Sequence, residues 1–239
     1  RQNAIAHVVE MLRVVRVGRN DELRAFLFRD AHVRRAEAQT LRTAVDFEHD
    51  AAQNGFVRDG LFTQMAEMAQ AKHNPLVVTE FGYASNLESG WLVIGVGQVG
   101  QAKGVLSGLF SGFEHGVTRT YLYELLDQKP DPDNKEREWH FGVYDNQYRA
   151  KVAAVALHNV TTLLYDGGAG ARTFNVRPFD LNLQGLPATG HKVVIEKADG
   201  TTVIALWNEQ LFWDRATGKP VQSAPVTVKL LPPATCARG

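Results

Sequence analysis

Cysteine is almost absent from this chain: Cys236 is the only one in 239 residues. A single cysteine excludes a disulfide within the chain, so cysteine usage indicates no particular redox compartment. No pairing of cysteine with histidine has the spacing of a zinc site. We therefore expect neither a metal nor another cofactor.

Net charge and long apolar runs are also missing. The chain has 26 Lys and Arg against 26 Asp and Glu, a balance that argues against a nucleic-acid partner held through its phosphates. No run of about 18 apolar residues is present, so we expect no membrane span and no membrane partner. No signal-peptide pattern is visible. The length is enough for one large domain or two small ones.

Residues 73–168 alternate between strand and helix patterns. The sequence predicts strands over Leu76–Thr79 and Thr118–Leu126, and helices over Gln98–Phe113 and Ala150–Leu164. Alternation of this kind indicates an α/β fold with a parallel sheet or a barrel.

Residues 172–231 instead alternate apolar and polar side chains, which predicts a small antiparallel β module. Its strands are expected at Phe174–Leu183, Lys192–Lys197, Thr202–Trp207 and Val226–Leu231. Asp199-Gly200 has the composition of a hairpin turn between two of them. We predict two domains, at residues 1–170 and 171–239.

The first 55 residues match no pattern that we can assign to a domain. Met11–Val17 has the composition of a short strand. Asn20 or Asp21 could cap a helix with Leu23, Phe26 and Leu27 on its apolar face.

Chemistry is most strongly indicated by Pro75–Tyr83, with the sequence PLVVTEFGY. An apolar run that ends in Thr-Glu predicts a buried parallel strand with the Glu80 carboxylate at its carboxyl end. In β/α barrels, catalytic residues lie at that end of the strands. The alternative is a strand-end glutamate that forms a salt bridge or binds loop amides.

This segment resembles the strand-7 nucleophile motif of the retaining (β/α)8-barrel glycoside hydrolases. In that family a sugar-binding aromatic residue commonly follows on strand 8, and Tyr123 in the segment YLYELLD aligns with it. The segment WHFGVYD with Lys151 is similar to the family's stretch after strand 8, although both prolines beside that lysine are replaced here.

The resemblance implies an incomplete barrel that consists of the C-terminal βα units, followed by an accessory β-sandwich. It implies Glu80 as nucleophile and contacts from Tyr83, Tyr123, Trp139 and His140 to a carbohydrate. It also implies a secreted or periplasmic enzyme. The segment Trp207-Asn208-Glu209 resembles a strand of the family's β-sandwich, and its place after strand 8 argues against an acid/base role.

Too little chain precedes the motif for a closed barrel. Six βα units need about 180 residues at the usual length of these units, whereas only 74 residues precede Pro75. No Asn-Glu at a strand end is found there, so we expect the general acid/base to be missing. Since the chain begins with Arg rather than Met, we expect a truncated chain that is weakly active or inactive alone.

Two other functions remain open at this point. One is a non-catalytic carbohydrate-binding or structural fragment. The other is a dinucleotide-binding βαβ unit, because Gly95, Gly97 and Gly100 form a G-x-G-x-x-G sequence and a strand with Glu124 follows.

Overall fold

The computed structural model describes the chain in several stretches. They are residues 5–8, 13–17, 23–26, 67, 69, 75–87, 95–167, 174–176, 181–208, 213–214, 217, 219–221 and 224–231.

The described part contains eleven strands, one 3-10 helix and two α-helices with defined bounds, and Glu67 and Ala69 are also helical. The strands are β1 (Ile5–Val8), β2 (Arg13–Val17), β3 (Leu23–Phe26), β4 (Leu76–Phe81), β5 (Val117–Leu122), β6 (Asn182–Gln184), β7 (Gly190–Glu196), β8 (Thr202–Asn208), β9 (Trp213–Asp214), β10 (Lys219–Pro220) and β11 (Val226–Leu231). The α-helices are α1 (Gly97–Glu114) and α2 (Val152–Leu164), and the 3-10 helix is Arg137–His140.

The unit β4–α1–β5 carries the predicted catalytic strand. β4 and β5 pair in parallel, and Phe81 lies opposite Leu122 at their carboxyl ends. Helix α1 is followed by its C-cap residue His115 and then by Gly116. The φ of Gly116 is 77°, a conformation that glycine adopts readily. Since α1 connects two parallel neighbours, it brings its N-terminus to the same edge as the strand ends.

Helices α1 and α2 pack on each other and on the antiparallel sheet. Their buried side chains form one apolar cluster with Val193 of β7 and with Val203, Ala205 and Trp207 of β8. Trp207 is only 1% exposed, and its ring lies 6.1 Å from that of Phe110 on α1. The α/β unit and the C-terminal strands therefore share a core.

The C-terminal strands pair with strands from the first 26 residues. One sheet has the order β3-β2-β8-β7, another has the order β1-β11-β6, and both are antiparallel. The predicted hairpin turn at Asp199-Gly200 is confirmed. There Lys197 N donates to Thr201 O at 2.8 Å, and Gly200 has a φ of 81°.

Several expectations need correction. Leu23–Phe26 is strand β3 and not a helix, because it pairs along its length with β2. β5 ends at Leu122, and Leu126 forms only an isolated bridge to Tyr144. In the predicted strand Phe174–Leu183, residues 174–176 are not extended into a sheet, and residues 177–180 lie outside the described residues.

The α/β class is confirmed, but the described strands form open sheets and no closed barrel. The division at residue 170 stays a prediction. Neither α1 nor α2 is both long and apolar enough to cross a membrane.

Candidate functional site

Two adjacent strand ends bring Glu80 and Tyr123 into the same region. Glu80 is exposed, one residue before the end of β4. Tyr123 follows β5 directly, and its backbone N–H donates to Phe81 O at 2.8 Å. A Cβ on Gly82 would lie 1.7 Å from Tyr123 O, so only glycine allows this close approach. The sequence prediction that these two strand ends are neighbours is therefore confirmed by the backbone.

Tyr123 is held by its ring and by its hydroxyl. The ring contacts Phe141 edge-on, with centroids 5.4 Å apart, and Gln128 Nε2 donates to the hydroxyl at 3.1 Å. Burial raises the pKa of Tyr123, and the negative charges of Glu124, Glu138 and Glu80 raise it further. Of these three charges, that of Glu80 contributes least.

Glu124 provides another carboxyl group at this edge. Its Oε1 is buried and has no hydrogen-bond partner among the described residues. Burial raises the pKa of Glu124, while a hydrogen bond from Gln128 opposes that rise. The peptide bond between Tyr123 and Glu124 is cis. The sequence singled out Glu124 only as a ribose contact in the dinucleotide alternative.

Tyr83 and Trp139 lie in different surroundings. The Tyr83 ring packs where Gly104 of α1 has no side chain, 2.3 Å from the position of a Cβ there, and meets Phe81 edge-on. Trp139 is half-buried in the 3-10 helix, with Lys129 Nζ 4.5 Å from its ring centroid. The structure places Tyr83 between β4 and α1, and sugar contacts from either residue stay a prediction.

His140 belongs to a hydrogen-bonded network around Lys151. His140 Nε2 lies 2.9 Å from Asp131 Oδ2, and Nδ1 lies 3.9 Å from Asp127 Oδ2. Lys151 Nζ donates to Asp127 Oδ1 at 2.6 Å, to Ser85 Oγ at 2.9 Å and to the His140 carbonyl at 3.3 Å. All three N–H bonds of the ammonium are therefore satisfied.

Burial and pairing shift the pKa values in this network. Burial lowers the pKa of Lys151, and the neighbouring Asp127 carboxylate opposes that shift. Burial acts to raise the pKa of Asp131, but hydrogen bonds from Glu136 N–H and His140 outweigh it, so the pKa is lowered.

A cavity of about 470 Å³ opens above the N-termini of α1 and α2. Its wall includes Ser85, Gln98, Asn134, His140, Asn146 and Lys151. Glu80 and Tyr123 are not among the residues that line it. The described residues thus form two separate polar regions, the strand-end region and this cavity.

Two glycines of the G-x-G-x-x-G motif, Gly95 and Gly97, have structural roles in the fold. A Cβ on Gly95 would lie 1.4 Å from Asn86 O, so this glycine permits packing against a loop. Gly97 begins α1 with a φ of 66°. The strand described before α1 is β4, which ends at Phe81, and the residues 91–94 that precede the motif lie outside the described residues. Among the described residues, no group of three or more His, Cys, Asp and Glu could hold a metal ion.

Sequence reasoning missed the network around Lys151. Asp127 is 24 residues from Lys151, and Ser85 is 66 residues from it. The sequence did single out Lys151, because it aligns with a lysine that follows strand 8 in the retaining glycoside hydrolases. Asp127 had no such signal, because a single aspartate after a strand has no distinctive pattern.

Comparisons with known proteins give a distant structural similarity. No family model matches the sequence, and no curated protein matches it. A solved structure of a family 39 glycoside hydrolase from the gut symbiont Bacteroides cellulosilyticus WH2 aligns with a TM-score of 0.43 at 15% identity, over 72% of this chain. This chain spans 35% of that protein. The chain is distantly similar to part of a glycoside hydrolase, and no residue's role follows from a likeness of this size.

Proposed function

We propose that this chain carries half of the catalytic pair of a retaining glycosidase. Glu80 is the nucleophile, Tyr123 is the platform for the sugar, and β4 and β5 are strands 7 and 8 of an incomplete (β/α)8 barrel. The observation that carries the proposal is that an exposed carboxylate and a half-buried tyrosine lie at the carboxyl ends of two paired parallel strands.

The chemistry assigns one role to each group. The Glu80 carboxylate attacks the anomeric carbon, the bond to the leaving oxygen breaks, and a glycosyl ester forms on the enzyme. The tyrosine ring packs against the C–H groups of the sugar, while the sugar hydroxyls bond around it. Trp139 and His140, which lie on the segment after strand 8, and Tyr83, which follows β4, would also contact the sugar.

The leaving oxygen needs a proton from a general acid. We assign that role to no residue of this chain, and loss of general acid catalysis typically costs about 10²–10⁴ in rate. We therefore expect this chain to bind a carbohydrate and to attack it through Glu80, but not to turn over ordinary glycosides. A carbohydrate partner and a secreted or periplasmic location belong to the same proposal, and they rest on the sequence resemblance alone.

Sugar binding at Tyr123 is the first test. We expect Tyr123→Ala to weaken binding of an aryl thioglycoside about tenfold, because an aromatic contact worth ~1–2 kcal/mol is lost. Tyr121→Ala is the matched control, since Tyr121 lies two residues earlier and is 50% exposed. Binding is followed through the NMR signals of tyrosine rings in ¹³C-labelled protein.

Equal affinities of the two alanine variants and the wild type would contradict the platform. Glu80→Gln should retain binding, because the nucleophile acts after the sugar is bound. Binding without any covalent reaction would instead favour a non-catalytic carbohydrate-binding fragment.

A further inference from the structure

We propose that Gln101 of α1 is a positioning residue for the reaction proposed above, because its side-chain amide holds together the segments that follow β4 and β5. Gln101 is fully buried, with 0% of its surface exposed. This inference rests on the proposed function of Glu80 and Tyr123. It assigns to Gln101 neither a contact with the sugar nor a proton transfer.

The Gln101 amide reaches three backbone carbonyls that belong to two separate segments. Its Nε2 donates to Tyr83 O at 2.9 Å, to Gly142 O at 3.0 Å and to Phe141 O at 3.2 Å. An amide nitrogen carries two hydrogens, so at least two of these carbonyls share one of them. Because carbonyl oxygens only accept hydrogen bonds, the three contacts also fix which way the amide faces.

One side of this bridge lies next to the proposed nucleophile in the chain. Tyr83 is three residues after Glu80, and between them Gly82 lies so close to the neighbouring segment that a Cβ would be 1.7 Å from Tyr123 O. The hydrogen bond to Tyr83 O therefore fixes the chain where β4 ends. It thereby fixes the backbone from which the Glu80 side chain projects.

The other side of the bridge supports the proposed sugar platform. The Phe141 ring contacts the Tyr123 ring, with centroids 5.4 Å apart. Tyr123 is also held through its backbone N–H and through its hydroxyl. We therefore expect loss of the Gln101 amide to disturb the alignment of Glu80 with the sugar more than the affinity for the sugar.

The test is Gln101→Met, which keeps the length of the side chain and removes both N–H donors. A 2-deoxy-2-fluoroglycosyl fluoride, whose anomeric fluoride a nucleophilic carboxylate replaces, is incubated with the protein at a series of concentrations. We expect the maximal labelling rate to fall about tenfold or more, because a misaligned nucleophile attacks slowly. The reagent concentration that gives half of that rate should change by less than about threefold.

Two comparisons separate positioning from a general loss of stability. Leu206→Ala removes a buried side chain of β8 from an apolar cluster that includes residues of β6 and β11. It should destabilise the fold but leave both labelling parameters unchanged. Gln101→Asn keeps the amide on a side chain that is one methylene shorter, so its maximal rate should lie between those of the wild type and Gln101→Met.

NMR of ¹³C-labelled protein supplies a readout that is independent of labelling. The ring signals of Tyr123 and Phe141 should move in both Gln101 variants and stay in place in Leu206→Ala. Circular dichroism establishes which variants are folded, and Gln101→Asn decides if Gln101→Met does not fold.

Several outcomes would overturn the positioning role. They are a maximal rate within about threefold of the wild type in a folded Gln101→Met variant, a wild-type rate in Gln101→Asn where Gln101→Met does not fold, unchanged ring signals in the Gln101 variants, an equal loss of rate in Leu206→Ala, and failure of both Gln101 variants to fold. Absence of labelling in the wild type would instead refute the proposed function itself, and with it the role of Gln101, before any variant is compared.

Discussion

Replacing Lys151 by methionine is expected to lower the free energy of unfolding by about 3–5 kcal/mol. The side chains of Lys151 and Asp127 are only 4% and 7% exposed, and Nζ and Oδ1 lie 2.6 Å apart. Methionine fills a similar volume, so the loss would come from the Asp127 carboxylate, which stays buried without its cation. Urea denaturation monitored by circular dichroism measures this difference.

Two further variants test whether burial is the cause. Arg149→Met removes a salt bridge to Asp145 whose arginine is 72% exposed, and it should cost no more than about 1 kcal/mol. The double variant Lys151→Met with Asp127→Leu should recover most of the loss, because no buried charge is left unpaired. A loss under 1 kcal/mol in Lys151→Met would show that the pair does not hold the two loops together.

Local patterns predicted the elements around the candidate site closely. The helix expected over Gln98–Phe113 is observed over Gly97–Glu114, and the strand expected over Val226–Leu231 is observed with those bounds. In both elements, the spacing of the apolar residues along the sequence indicates the type of element and its extent. The Asp199-Gly200 turn was predictable because few residue pairs adopt its conformation easily.

Long-range pairing explains what the sequence did not reveal. Leu23–Phe26 has a pattern that a helix also fits, and it is a strand because β2 pairs with it and with β8. The network of Ser85, Asp127 and Lys151 depends on three loops that meet only after folding. The need for glycine at position 82 likewise depends on Tyr123 O, a distant residue in the sequence.

The role of Glu80 has the largest expected effect on chemistry. A 2-deoxy-2-fluoroglycosyl fluoride can react with a nucleophilic carboxylate without a general acid, because fluoride departs unprotonated. The carboxylate oxygen forms a bond to the anomeric carbon, and the carbon–fluorine bond at that carbon breaks. The fluorine at position 2 slows hydrolysis of the ester, so the adduct accumulates. Reactivity of Glu80 is therefore measurable in this chain even though no acid/base residue is assigned.

Substitutions locate the adduct. Glu80→Gln should abolish labelling, since an amide is a far weaker nucleophile than a carboxylate. Glu138→Gln is the matched control, because Glu138 is exposed and its charge also acts on Tyr123. It should label at the wild-type rate.

Mass spectrometry of the intact protein and of its peptides, after incubation with gluco-, galacto-, manno- and xylo-configured reagents, tests the central claim most directly. We predict the addition of one fluoroglycosyl group, located on Glu80, with at least one configuration. The claim is contradicted if no configuration labels the wild type, or if the adduct forms on Glu124 or another carboxylate while Glu80 stays unmodified.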